Sequence, residues 1–174
     1  SRGDEVKSPV GELLTVAPQE GEWTPGSAIF EVTRGGFHGY TPSAHRSPAP
    51  TEFVQPLCWI PRMQDNSCGG QVWVPPGRWG PLGGQMLHLS YGTSRMFLVP
   101  REVVSDTTPA QGATVPLPLA FESGVMRGRF HPLDGHLYVS GLRGWVSNAA
   151  KDGCWQRVRA TARPLDLPVA FESH

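Results

Sequence analysis

No stretch of this chain keeps a helical spacing of apolar residues for more than two turns, and that absence limits what it can fold into. Short apolar or alternating runs recur between turn residues instead, the pattern of an all-β protein. Twenty-one glycines and eighteen prolines in 174 residues provide the punctuation, because both residues interrupt helices and favour turns. Strands are expected over Glu12–Ala17, Ala28–Thr33, Gln71–Pro75, Gln85–Tyr91 and Arg95–Pro100. Further strands are expected over Ala113–Leu119, Val125–Phe130, His136–Ser140 and Cys154–Ala160. Alternation puts Met86, His88 and Ser90 on one strand face and Leu87, Leu89 and Tyr91 on the other. By the same rule Trp155, Arg157 and Arg159 lie opposite Cys154, Gln156 and Val158.

The connections are as legible as the strands. "YGTS" at Tyr91–Ser94 reads as a hairpin turn, and "PLDG" at Pro132–Gly135 as a Pro/Asp-Gly turn. Thr41–Glu52 is Pro/Ser-rich and reads as a long loop. "DNSCGG" at Asp65–Gly70 reads as a turn in which Asp and Asn bond the local backbone and the glycines take positive φ.

Composition removes several function classes. Fifteen basic and fifteen acidic residues balance, which gives no electrostatic reason to expect nucleic acid or an anionic membrane as partner. No apolar run approaches the roughly 18 residues of a membrane span. Cys58, Cys68 and Cys154 form no C-x-x-C zinc pattern and no haem-attachment motif, and leave a single disulfide open. Hydrolase, nucleotide-binding, zincin and dinucleotide fingerprints are absent.

A phrase recurs. "LPLAFES" at Leu117–Ser123 returns as "LPVAFES" at Leu167–Ser173. A period of about 40–50 residues is the size of a propeller blade. Some ten strands at four per blade make two to three blades, fewer than the roughly four to eight of a closed propeller. The chain is therefore expected to be a single propeller fragment over residues 1–174, with blade boundaries near 41–55 and 101–124.

The stretches "FVQPLCWIPRMQDNSCGGQVWVP" and "RWGPLGGQMLHLSYGTSRMFLV", with "GEWTPGSAIFEVTRGGFHGY" before them and "GVMRGRFHPLDGHLYVSGLRGW" and "DGCWQRVRAT" after, carry a resemblance. The chain resembles, from Gly11 to Phe171, the glucose/sorbosone dehydrogenase-like β-propellers of secreted planctomycete-type bacterial proteins, often joined to c-type cytochrome or haem-binding domains. That resemblance implies a quinone-dependent oxidoreductase of a sugar or alcohol, periplasmic or extracellular, with this chain as part of the channel wall. Pyrroloquinoline quinone (PQQ) and calcium are the implied cofactors; missing blades or a cytochrome domain are the implied partners. Such chemistry needs a base tunable near neutral pH, guanidinium forks for the quinone carboxylates and hard oxygen ligands for calcium. The residues of those types are His88 as base, Arg143, Trp145, Arg157 and Arg159 around the cofactor, and Asp65 and Asn66 toward the metal. The alternative is a non-catalytic propeller module that binds carbohydrate or protein. The two separate on whether His88 and the Arg157/Arg159 pair converge.

Overall fold

A computed structural model describes residues 5–7, 13–15, 27–38, 44–105, 110–144 and 147–161. The architecture is all-β, and none of the described sheets closes on itself. Its strands are β1 (Glu5–Lys7), β2 (Leu13–Thr15), β3 (Ser27–Ile29), β4 (Cys58–Ile60), β5 (Cys68–Trp73), β6 (Met86–Ser90) and β7 (Arg95–Val99). They continue with β8 (Arg101–Glu102), β9 (Gln111–Gly112), β10 (Val115–Ala120), β11 (Gly124–Phe130), β12 (Leu137–Leu142) and β13 (Gly153–Val158).

Three antiparallel layers follow one another along the chain. β3 pairs with β4, then β5, β6, β7 and β10 form a four-stranded sheet in the order β10-β7-β6-β5, then β11, β12 and β13 form a third sheet. The middle layer is covered on both faces. Leu87 and Leu89 of β6 and Met96 and Leu98 of β7 pack on Val125, Leu137 and Val139 of the third layer. The opposite face contributes Met86 and Val99 to a second cluster with Ile29, Leu57, Cys58 and Ile60. All five residues of β6 are buried. Each fully buried leucine contributes about 1.5–3 kcal/mol, so β6 is the strand on which both clusters depend.

The hairpins form where the turn chemistry puts them. Ser90 lies opposite Arg95, and Tyr91–Ser94 closes the turn with Ser94 at φ 53. Phe130 lies opposite Leu137, and Gly135 takes φ 69 in the PLDG turn. The segment between β5 and β6 folds onto that second turn, where Trp79 Nε1–H donates to the Gly135 carbonyl at 3.1 Å.

One sequence expectation is corrected, and some strands were not foreseen. Cys68–Gly70 is not turn but the start of β5, and neither Gly69 nor Gly70 has positive φ. The reason is interlayer distance: a Cβ on Gly69 would collide with the Val125 carbonyl oxygen and lie 2.7 Å from that of Leu89. Those glycines let β11 approach β5, so their small size matters here, not their conformational freedom. β4 returns to pair with β3. β1, β4 and the short β8–β9 pair were not anticipated, since three- and two-residue strands carry no readable alternation. The first copy of the repeated phrase supplies the end of β10 and the turn into β11, with Phe121 and Ser123 buried; the second lies outside the described residues. No described helix is long and apolar enough to cross a membrane.

Gly69→Ala should destabilise the protein by about 2–3 kcal/mol through overpacking. Gly153→Ala, whose nearest obstacle is 3.5 Å away, should change stability by under about 0.5 kcal/mol. Urea denaturation followed by tryptophan fluorescence compares them, and equal midpoints would refute this account of the β5–β11 approach.

Candidate functional site

Two places in the described structure gather chemistry-bearing side chains: a buried cluster around Asp65, and the outer face of the third sheet. The first begins with a turn. The Gln64 and Asp65 amides both donate to the Pro61 carbonyl, and Asp65 Oδ1 accepts the Ser67 amide at 3.1 Å, an Asx turn that fixes the carboxylate. Asp65 is thereby set against the face of β6 that carries His88 and Ser90. Asp65 is 1% exposed, and His88 and Ser90 are fully buried.

Polar groups at such depth need partners, and these have them. His88 Nε2–H donates to Asp65 Oδ2 at 2.7 Å, and Ser90 Oγ–H donates to Asp65 Oδ1 at 2.6 Å. Thr93 donates from both its backbone amide (3.0 Å) and its hydroxyl (2.7 Å) to Ser90 Oγ. Gln71 Nε2 donates to His88 Nδ1 at 3.3 Å, which leaves the ring proton on Nε2 facing the carboxylate. Burial alone would push the Asp65 carboxyl up, but hydrogen bonds from His88, Ser90 and the Ser67 amide outweigh it and hold the carboxyl below its ordinary value. Cys68 completes the group: ligand atoms of Asp65, Cys68 and His88 all lie within 4.8 Å of one another. Burial, the largest influence, pushes the Cys68 thiol up to about 11, so it stands as a neutral thiol and not as an activated nucleophile. All three cysteines are free. A cavity of about 340 Å³, lined by Gln64, Thr93, Arg95, Phe97 and Asn148 among others, reaches this network at Thr93.

The residue types anticipated for quinone and calcium chemistry are dispersed. Asp65 and His88 do meet, while Asn66 Oδ1 lies against Gly92. The neighbours of the Asp65 oxygens are N–H and O–H donors and a sulfur, not the six to eight oxygens calcium requires, so the cluster does not fit that ion. Arg157 lies opposite Tyr138 on β13, in a different sheet from His88. Arg143 follows β12 at the end of the ladder where Leu142 meets Gly153, and Arg159 follows β13 at the other end, where Leu137 meets Val158. Strand rise separates those ends by about 17 Å, so Arg143 stands apart from the Arg157/Arg159 pair. Trp145 lies outside the described residues.

The second place was half legible in the alternation of Trp155, Arg157 and Arg159. Register sets Arg129, Tyr138 and Arg157 side by side across β11, β12 and β13, with Arg127, Ser140 and Trp155 in the next outward row. Trp155 is 73% exposed and lies over Tyr138 with ring centroids 5.9 Å apart and planes tilted by 34°. Tyr138 is fixed from below: its hydroxyl donates to Asp134 Oδ2 at 2.9 Å, and His131 packs edge-on at 6.0 Å. Among the described residues Arg127 and Arg129 bond only neighbouring carbonyls through Nη1, and neither they nor Arg157 forms an ion pair. The missed signal was in β11, where "RGR" alternates as Arg-Gly-Arg and puts both cations outward once Gly128 faces in.

Comparison with protein-family models, with curated proteins and with solved structures finds no match to this chain.

A folded-state carboxyl held below its unfolded value of about 4 adds stability that is complete above that pH and disappears as pH falls through the lowered value. Acid should therefore unfold the protein through Asp65, and Asp65→Asn should flatten the acid limb of the stability profile. At pH 7 the same substitution should cost about 1–3 kcal/mol. Denaturant midpoints between pH 2 and 7 measure both; an unchanged acid limb would remove Asp65 from this role.

Proposed function

We propose that this chain is a propeller-type recognition module that binds an anionic carbohydrate on the outer face of the β11–β12–β13 sheet. The layered arrangement supports the blade reading. A four-stranded antiparallel meander packs between two further sheets, and its first strand meets the first strand of the next sheet at glycines, as neighbouring blades do around an axis.

The observation that carries the binding reading is the contrast between faces. Contacts between layers are built from Leu, Val, Ile, Met and Phe, whereas the outer face presents Arg127, Arg129, Arg157, Tyr138 and Trp155. A face meant to receive another apolar layer has no use for three guanidiniums that lack an ion-pair partner among the described residues. An exposed indole braced by a tyrosine offers a flat apolar platform for the C–H face of a sugar ring. Flanking guanidiniums supply forked donors to a carboxylate or sulfate on that ring. Such polymers belong to the extracellular or periplasmic setting that the sequence resemblance implies.

Calorimetric titration with a uronic-acid oligosaccharide and with a neutral oligosaccharide of the same length tests this. Saturable binding of the acidic ligand alone is expected, weakened at least about tenfold by Trp155→Ala and by Arg157→Ala, the loss of one strong contact. Absence of binding by a folded sample, or equal binding by both variants, would overturn the assignment.

A further inference from the structure

We propose that Asp65, Cys68 and His88 form a binding site for a divalent transition metal of the zinc class. The site is independent of the carbohydrate face, being held by the middle layer and the turn that precedes it.

The donor set is the first reason. One carboxylate oxygen, one imidazole nitrogen and one sulfur suit zinc and its neighbours and disfavour calcium or magnesium. Charge is the second. A divalent ion bound by the Asp65 carboxylate, a Cys68 thiolate and neutral His88 makes a unit of zero net charge, which a buried position accepts where an isolated ion is excluded. Geometry is the third. Zinc bonds of about 2.0–2.3 Å at tetrahedral angles hold ligand atoms about 3.2–3.6 Å apart. The Asp65–His88 contact, at 2.7 Å, needs to open by under about 1 Å, and Cys68 Sγ, within 4.8 Å of both, needs to close by at most about 1.5 Å.

The surroundings are already arranged as a metal site requires. Ser90 and the Ser67 amide hold Asp65 Oδ1, which leaves Oδ2 for the ion. Gln71 faces His88 Nδ1; with its amide turned over, its oxygen accepts the Nδ1 proton of a ring ligated through Nε2. On binding, the Cys68 Sγ–H bond breaks and the proton leaves to solvent as the sulfur–metal bond forms. The imidazole proton moves from Nε2 to Nδ1, so one proton is released per ion. Cys68 is only partly buried and Gln71 is exposed, so an ion reaches the sulfur without unfolding of the layers.

Titration of the reduced full chain with Co²⁺ tests the proposal, because cobalt reports a thiolate ligand by a near-ultraviolet charge-transfer band and tetrahedral geometry by intense visible bands. One equivalent with both signals is expected, with Zn²⁺ displacing it. Cys68→Ser should abolish the thiolate band and weaken binding at least about tenfold, while Cys154→Ser should leave both unchanged. Gln71→Ala should weaken binding several-fold with the thiolate band retained. No thiolate band in the unsubstituted protein, or a band that survives Cys68→Ser, overturns the site. Cys68→Ser decides the matter even if His88→Gln fails to fold, since the hydroxyl is close in size to the thiol it replaces.

Discussion

β6 is buried on both faces, and the rest of the structure depends on that. A strand in the middle of a covered sheet is ordinarily apolar throughout, and Met86, Leu87 and Leu89 obey the rule. His88 and Ser90 break it. An imidazole and a hydroxyl at zero exposure are tolerated only if each is hydrogen-bonded, and one carboxylate does this for both. Asp65 is carried by a turn outside the sheet, so satisfying β6 ties the β4–β5 connection to the middle layer. Removing the carboxylate would strand two buried polar groups at once, so this small network bears on stability out of proportion to its size.

A second constraint is the distance between layers. Sheets facing each other usually stand about 10 Å apart with side chains between them. At the β5–β11 crossing the backbones come closer, because Gly69 and Gly70 bring no side chains into the gap. Leu89 and Val125 can then share one cluster with Leu137 and Val139. Close packing on one side of β6 and a polar network on the other follow from one short sequence, "DNSCGG", whose aspartate serves the network and whose glycines serve the approach.

How much of this was readable in advance differs from residue to residue. The strands with five or more residues were visible because alternation survives over that length, and the YGTS and PLDG hairpins because turn residues name their own geometry. The face shared by Met86, His88 and Ser90 was also visible. Its partner was not, since nothing local to Asp65 says that its carboxylate will meet residues more than twenty positions away. The glycines of β5 were misread for a related reason: a Gly-Gly pair looks the same whether it is needed for positive φ or for an approaching backbone, and only the tertiary contact separates the two. Charge misled in another way. A balanced count of acidic and basic residues conceals a local surplus, and the arginines of β11 and β13 share a face only because β12 sets them in register.

Burial and exposure divide the chemistry of this fold. Asp65, Cys68 and His88 are held between layers, where a low dielectric strengthens each hydrogen bond and makes any uncompensated charge costly; only a neutralising ligand set suits such a place. Arg127, Arg129 and Arg157 stand on the outermost of the described sheets, where solvent screens them and their charge costs little until a ligand displaces the water. A stack of antiparallel sheets produces both environments from the same alternation. Residues facing the neighbouring layer are fixed by packing, residues facing outward are free to meet a ligand, and the last sheet alone owns a face of the second kind among the described layers. Trp155 shows the consequence: on β13 its neighbours Cys154 and Gln156 point toward the interior, and a shift of one residue would have buried the indole and turned the arginines inward.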